Sequence, residues 1–120
     1  MVKTHKDLDV WKESIQLVKD IYRLTSHFPK EEMYNLASQI RKSAISIPSN
    51  IAEGAARKSK KEFINFLYIA LGSCVELDTQ LIISKELGFI TDEHNIFEPI
   101  EKIKSQLLGL IRHLEKKNAQ

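Results

Sequence analysis

The sequence predicts an all-α fold, an antiparallel up-down-up-down four-helix bundle, and three observations support it. Apolar residues recur at alternating intervals of three and four along four separate stretches. Capping residues, prolines or a glycine bound these stretches, and the short connections between them favour antiparallel neighbours. No glycine-rich phosphate loop, internal repeat or low-complexity segment interrupts the pattern.

The first helix is expected over about 8–28. Asp7 and Asp9 stand where carboxylates cap a helix start and oppose its dipole. Leu8, Trp11, Ile15, Val18 and Tyr22 form one stripe, and Val10, Leu17, Ile21, Leu24 and Phe28 form a second beside it. Pro29 ends the helix by restricting the residues before it and by lacking a donor.

The second helix is expected over about 31–56. Its periodic residues are Met33, Leu36, Ile40, Ala44, Ile47, Ile51 and Ala55, and the phase passes through Pro48 unchanged. That continuity predicts one bent helix rather than two. A proline inside a helix costs about 3 kcal/mol, which burial of the flanking isoleucines at roughly 1.5–3 kcal/mol each offsets. The bend reads as a structural feature first and as a ligand-exposing kink second. On the opposite face Gln39, Ser43, Ser46, Asn50 and Glu53 form a small polar stripe, suited to close packing or solvation or to binding. Glu53 is also placed to pair with Arg57 one turn on.

The third helix is expected over about 60–87. Ser59 followed by Glu62 has the capping-box form, and Gly88 supplies the C-terminal stop. It is apolar nearly all round. Phe63, Phe66, Ala70, Cys74, Leu77 and Leu81 make one seam, and Ile64, Leu67, Leu71, Val75 and Ile82 another, with Tyr68, Ile69 and Ile83 beyond them. Such a helix must be buried on several sides, which three companion helices do not achieve, so the chain is expected to self-associate through helices 1 and 3. Ile69 is expected to face outward.

The fourth helix is expected over about 92–116, capped by Thr91-Asp92-Glu93. Ile96, Ile100, Ile103, Leu107, Leu110 and Leu114 repeat as a coiled-coil seam. Pro99 is too deep for a first-turn proline on those bounds, implying a local kink or a later start.

Composition narrows the function classes. The 120 residues suit one domain, 1–120, and 42% hydrophobic with 28% charged residues is ordinary for a soluble chain. The single cysteine excludes an internal disulfide and a cysteine zinc site, and the four histidines show no close ligand pairing. The longest apolar run, Phe66 to Leu71, is too short for a bilayer, and no charged, apolar leader opens the chain, so a cytoplasmic location is expected. There is no inward Glu-x-x-His pair, no His-Glu-x-x-His, no Gly-x-Ser-x-Gly and no lysine-bearing phosphate loop. The expectation is a protein that is not an enzyme, with no cofactor and no metal.

Three stretches carry a family resemblance: Asp7-Leu8-Asp9-Val10-Trp11, Ile45 to Ser59 with its Ser46-Ile47-Pro48-Ser49-Asn50-Ile51-Ala52-Glu53-Gly54 core, and Phe63 to Ser73. With them the chain resembles, from about residue 7 to residue 115, the bacterial four-helix-bundle family encoded in 23S ribosomal RNA intervening sequences. The resemblance implies a ring-like homo-oligomer, commonly a homopentamer. A related protein, the accessory variability determinant of diversity-generating retroelements, binds nucleic acid beside a reverse transcriptase. By that analogy RNA or DNA and a reverse transcriptase are implied partners, with no membrane.

Net charge is only +2, but its distribution is lopsided. In the expected bundle, one end collects ten bases (Lys3, Lys6, Lys12, Arg57, Lys58, Lys60, Lys61, Arg112, Lys116 and Lys117) against six acids. The other end holds three bases, Arg23, Lys30 and Lys85, against seven acids. A ring would add the basic ends together. The candidate nucleic-acid-binding residues are Arg57, Lys58, Lys60, Lys61, Arg112, Lys116 and Lys117. Trp11 and Phe63 read as core, so base stacking has little support there. Two classes stay open: a nucleic-acid-binding ring acting on structured RNA, and a protein-interaction scaffold that binds no nucleic acid.

Overall fold

The computed structural model describes residues 4–91 and 95–118, the side chains at 117 and 118 excepted. Among the described residues there are four α-helices and no strand: α1 (Asp9–Thr25), α2 (Leu36–Ala55), α3 (Lys60–Glu86) and α4 (Phe97–Asn118). The molecule is elongated, 51 × 21 × 19 Å. In cross-section α1 packs on α2 and α4, and α3 packs on the same two, while α1 and α3 do not meet among the described residues. They are the diagonal pair.

A short 3-10 turn, His5–Asp7, precedes α1, with Thr4 as its cap. The second of the two stripes on α1 is the core face: Val10, Leu17, Ile21 and Phe28 are buried and Leu24 packs against them. Ser14 and Thr25 join them because each hydroxyl donates to a carbonyl of its own helix, to Trp11 O at 2.7 Å and Ile21 O at 2.8 Å, leaving no unpaired donor. The first stripe stays near the surface, with Ile15 and Tyr22 exposed. Helix α1 ends at Thr25, three residues before the expected stop, because Ser26, His27 and Phe28 turn back onto it through 3.1–3.3 Å backbone bonds.

Helix α2 starts at Leu36 rather than near Glu31. Lys30–Glu32 form only a 3-10 turn, and Asn35, at φ −117° and ψ −104°, lies outside helical geometry. Its side chain instead donates to Glu31 O. From Leu36 the helix runs through Pro48 to Ala55 without a break. Pro48 is itself buried between Ile47 and Ile51, so the apolar contacts expected to offset its missing bond are in place.

Glycine has a specific role at Gly54. A Cβ there would lie 2.7 Å from Phe66 Cβ and 3.0 Å from Phe63 Cδ1. The absent side chain lets α2 and α3 converge at the end where they are joined. Ser59 caps α3 by accepting from Glu62 N–H at 3.1 Å. At the other end Gly88 takes φ +81°, and Phe89 N–H donates back to Ser84 O at 2.8 Å, which is the Schellman arrangement. Phe28 and Phe89, which follow α1 and α3, meet with ring centroids 5.6 Å apart.

Helix α4 starts at Phe97, later than expected, and Asp92 and Glu93 of the expected cap lie outside the described residues. Asn95, at φ +39°, turns the chain, and its side chain donates to Glu98. With this start Pro99 is the third helical residue, where an N–H would have no intrahelical partner anyway. The core seam of α4 is Ile96, Ile100, Ile103, Leu107, Ile111 and Leu114; Ile111 replaces the expected Leu110, which is only half-buried. A straight helix drifts against a strict seven-residue repeat, and the buried row slips by one position.

Candidate nucleic-acid interface

The turn joining α2 and α3 presents Arg57, Lys58, Lys60 and Lys61, all exposed, around the cap residue Ser59. Ser59 caps the start of α3 at the same point, where a helix carries partial positive charge. Arg57 differs from its neighbours. Its Nη2 donates to Glu53 Oε1 at 2.8 Å, and its guanidinium sits 5.0 Å over the Phe66 ring. It is therefore planted on the bundle surface, with part of its charge answered.

Arg112 and Lys116 are exposed on the last turns of α4, and Arg112 Nε reaches Leu108 O at 3.3 Å. The side chain of Lys117 lies outside the described residues. No hydrogen bond or ion pair among the described residues joins this pair to the α2–α3 turn. Trp11 and Phe63 are half-buried against the core, as expected, and Trp11 meets His5 edge-on at 5.1 Å.

The polar stripe of α2 is a seam against α3. Ser43 is 3% exposed and donates to Glu76 Oε1 at 2.7 Å. Ser46 and Ser73 share a hydroxyl bond of 2.8 Å, and Asn50 Nδ2 donates to Ser46 O and Oγ. Only the two ends, Gln39 and Glu53, are exposed. Packing is thus what the small residues serve. Their α3 partners, Ser73 and Glu76, carry no sequence signal of their own, because the register between two helices is set in three dimensions.

Cys74 is fully buried, and burial pushes its thiol up to about 12, so the thiolate a nucleophile needs is suppressed. Lys104, beside it, is held protonated above its usual range chiefly by its hydrogen bond to Glu101. No group of three His, Cys, Asp or Glu side chains among the described residues is arranged to hold a metal ion. Helix α3 has the length and composition of a membrane span, with mean hydropathy 1.5 over its most apolar window, 28% of which is buried.

No curated protein matches the chain. Among solved structures it is similar to a protein of unknown function from the S23 ribosomal protein family of Bacteroides thetaiotaomicron VPI-5482. The identity is 28% and the TM-score 0.79, over 86% of this chain and 95% of that one. The family model described as 23S rRNA-intervening sequence protein matches residues 6–110. Over that span, and on an all-α architecture shared with the solved relative, the chain belongs to the 23S rRNA-intervening sequence protein family.

Proposed function

We propose that the chain is a non-catalytic, self-associating bundle of alternating helices that binds structured RNA or other nucleic acid through its basic end. One observation carries this reading: four exposed bases on a single capped turn, three of them without an ion pair among the described residues. Alternation of helix direction is supported by the meeting of Phe28 with Phe89 and by a cleft in which Asp20 and His27 of the α1 end face Ile96 and Pro99 of the α4 start. On that topology Arg112 and Lys116 join the turn at one end. A ring, pentameric by the family resemblance, repeats the cluster around its rim and multiplies weak phosphate contacts. The location that fits is the cytoplasm, and a nucleic-acid enzyme such as a reverse transcriptase is the fitting protein partner by the same resemblance.

The mechanism is electrostatic. Lysines neutralise phosphates and release counterions, so affinity falls steeply with salt, by a log–log slope of about −0.9 per contact on duplex DNA and −0.7 on single strands. With Trp11 and Phe63 committed to the core, little aromatic surface is left for reading bases, and binding is expected to be indifferent to sequence. The experiment is a salt titration of RNA and DNA binding by wild type and by a variant with Arg57, Lys58, Lys60 and Lys61 all changed to glutamine. The variant should bind more weakly, with a shallower slope and unchanged helicity. Equal affinities and slopes would remove the cluster from the interface.

A second reading, a scaffold that docks proteins and no nucleic acid, is favoured by the exposed apolar side of α3. It becomes the better one if neither protein binds RNA or DNA at low salt.

A further inference from the structure

A cleft lies where the C-terminal part of α1 meets the start of α4. Its volume is about 490 Å³, and Asp20, Arg23, Leu24, His27, Ile96 and Pro99 line it. That volume falls within the range of about 300–1,000 Å³ usual for small-molecule pockets. The four lining residues from α1 and the turn after it are spaced by three, one and three, so they share one face. Leu24 packs against the core and Ile96 is buried, which with Pro99 gives the cleft an apolar floor. The other three lining groups are a carboxylate, a guanidinium and an imidazole.

Asp20 and Arg23 pair only loosely. Arg23 Nη1 lies 3.5 Å from Asp20 Oδ1, at the outer limit of a hydrogen bond, and the same oxygen accepts from Gln16 Nε2 at 3.0 Å. The Arg23 side chain is 71% exposed, and a pair of this kind contributes little to stability. Parting it for a ligand that answers both charges is therefore cheap. The helix ends add a field of the same form. Helix α1 ends at the cleft and α4 begins there, so partial charges of opposite sign flank one space.

This combination selects among ligands. A simple anion would meet Asp20, a simple cation would meet Arg23, and an uncharged apolar molecule would leave both charges unanswered. A molecule with one charge of each sign beside an apolar body answers every lining group. We propose that the cleft binds a free α-amino acid with an apolar side chain. Its carboxylate meets Arg23 and His27, its ammonium meets Asp20, and its side chain lies on Leu24, Ile96 and Pro99. Such a ligand is neutral as a whole, so the acidic balance of this end of the chain does not repel it.

Equilibrium dialysis of the full chain against L-leucine and L-phenylalanine tests it. Leucine or phenylalanine should bind. Isocaproate, isoamylamine and glycine lack in turn the ammonium, the carboxylate and the apolar body of leucine. Each should bind at least about tenfold more weakly than leucine. A truncated ligand that binds as tightly, or no binding of either amino acid at millimolar concentration, would overturn the proposal.

Two variants locate the site. Arg23→Gln and Asp20→Asn should each weaken amino-acid binding by at least about fivefold while circular dichroism stays unchanged. Arg23→Lys, which keeps the charge, should lose less than Arg23→Gln. Binding indifferent to Arg23→Gln and Asp20→Asn would overturn the assignment. The variant with Arg57, Lys58, Lys60 and Lys61 changed to glutamine should bind the amino acid as wild type does. Loss of binding there would move the site to the basic turn and overturn it equally.

Discussion

The contact at Gly54 predicts that one substitution will have opposite effects at two glycines. An alanine Cβ at position 54 would lie 2.7 Å from Phe66 Cβ and 3.2 Å from the Phe63 carbonyl, whereas ordinary contact begins near 3.4 Å. Neither of those atoms is the free end of a flexible side chain. The helices must separate by several tenths of an ångström just where Phe63 and Phe66 pack. Overpacking of this kind costs about 1–3 kcal/mol, and the gain in helix propensity from glycine to alanine returns about 1 kcal/mol. Gly54→Ala should therefore destabilise by roughly 1 kcal/mol, lowering Tm by roughly 5 °C in a chain of this size. At Gly109, on α4, nothing lies within 4 Å of the added carbon. Gly109→Ala should gain most of the propensity term, stabilising by about 0.5–1 kcal/mol. Thermal melts of both variants at one fixed protein concentration measure the difference. A stabilised Gly54→Ala protein would refute the tight α2–α3 approach.

Two further outcomes follow from α2 and α3. Pro48→Ala should keep the fold and lose no helicity by circular dichroism, because the helix already continues through that residue; a drop in far-ultraviolet signal would show that the proline organises the chain around it. Cys74, with its thiol pushed to about 12, should be about one part in ten thousand thiolate at pH 8 and should react with a thiol reagent only as fast as the bundle opens. Its raised value favours the folded state fully below the unfolded value of 9.0, so its contribution to stability should erode as pH climbs from 9 towards 12. A Cys74→Ala variant with the same alkaline loss would remove the thiol as its cause.

Much of this architecture can be read in the sequence, because each signal for it is local. Ser59 and Gly88 mark the ends of α3, and the Ile40-Ala44-Ile47-Ile51 row carries α2 across Pro48, each within a turn or two of chain. The misplaced features depend on context. Asn35 leaves helical geometry although Met33 and Leu36 continue the apolar spacing, since a side-chain bond to Glu31 competes with the helix. Ser14 and Thr25 are core residues by virtue of bonds to their own helix, which no polarity pattern marks. The basic turn was legible for the same reason as the caps: Arg57, Lys58, Lys60 and Lys61 are neighbours in the chain. The attachment of Arg57 to Phe66 and Glu53 was legible only for Glu53, four residues away.

The hardest feature to read is also the most consequential, namely which side of α3 faces in. Both sides are apolar, so burying Leu67, Cys74, Leu77 and Leu81 rather than Tyr68, Val75 and Ile82 is not decided by hydrophobicity alone. The polar seam distinguishes them. Ser43 reaches Glu76 and Ser46 reaches Ser73 only at one rotation of α3 about its axis, and the close approach at Gly54 holds that rotation near the joining turn. Turning the helix by one residue, about 100°, would strand the Ser43 hydroxyl in a buried position without a partner, at a cost of about 1–3 kcal/mol. A few short polar side chains on α2 thus determine which apolar stripe of α3 becomes core and which is left facing outward. The small-residue stripe acts through α3, by fixing which of its surfaces faces outward.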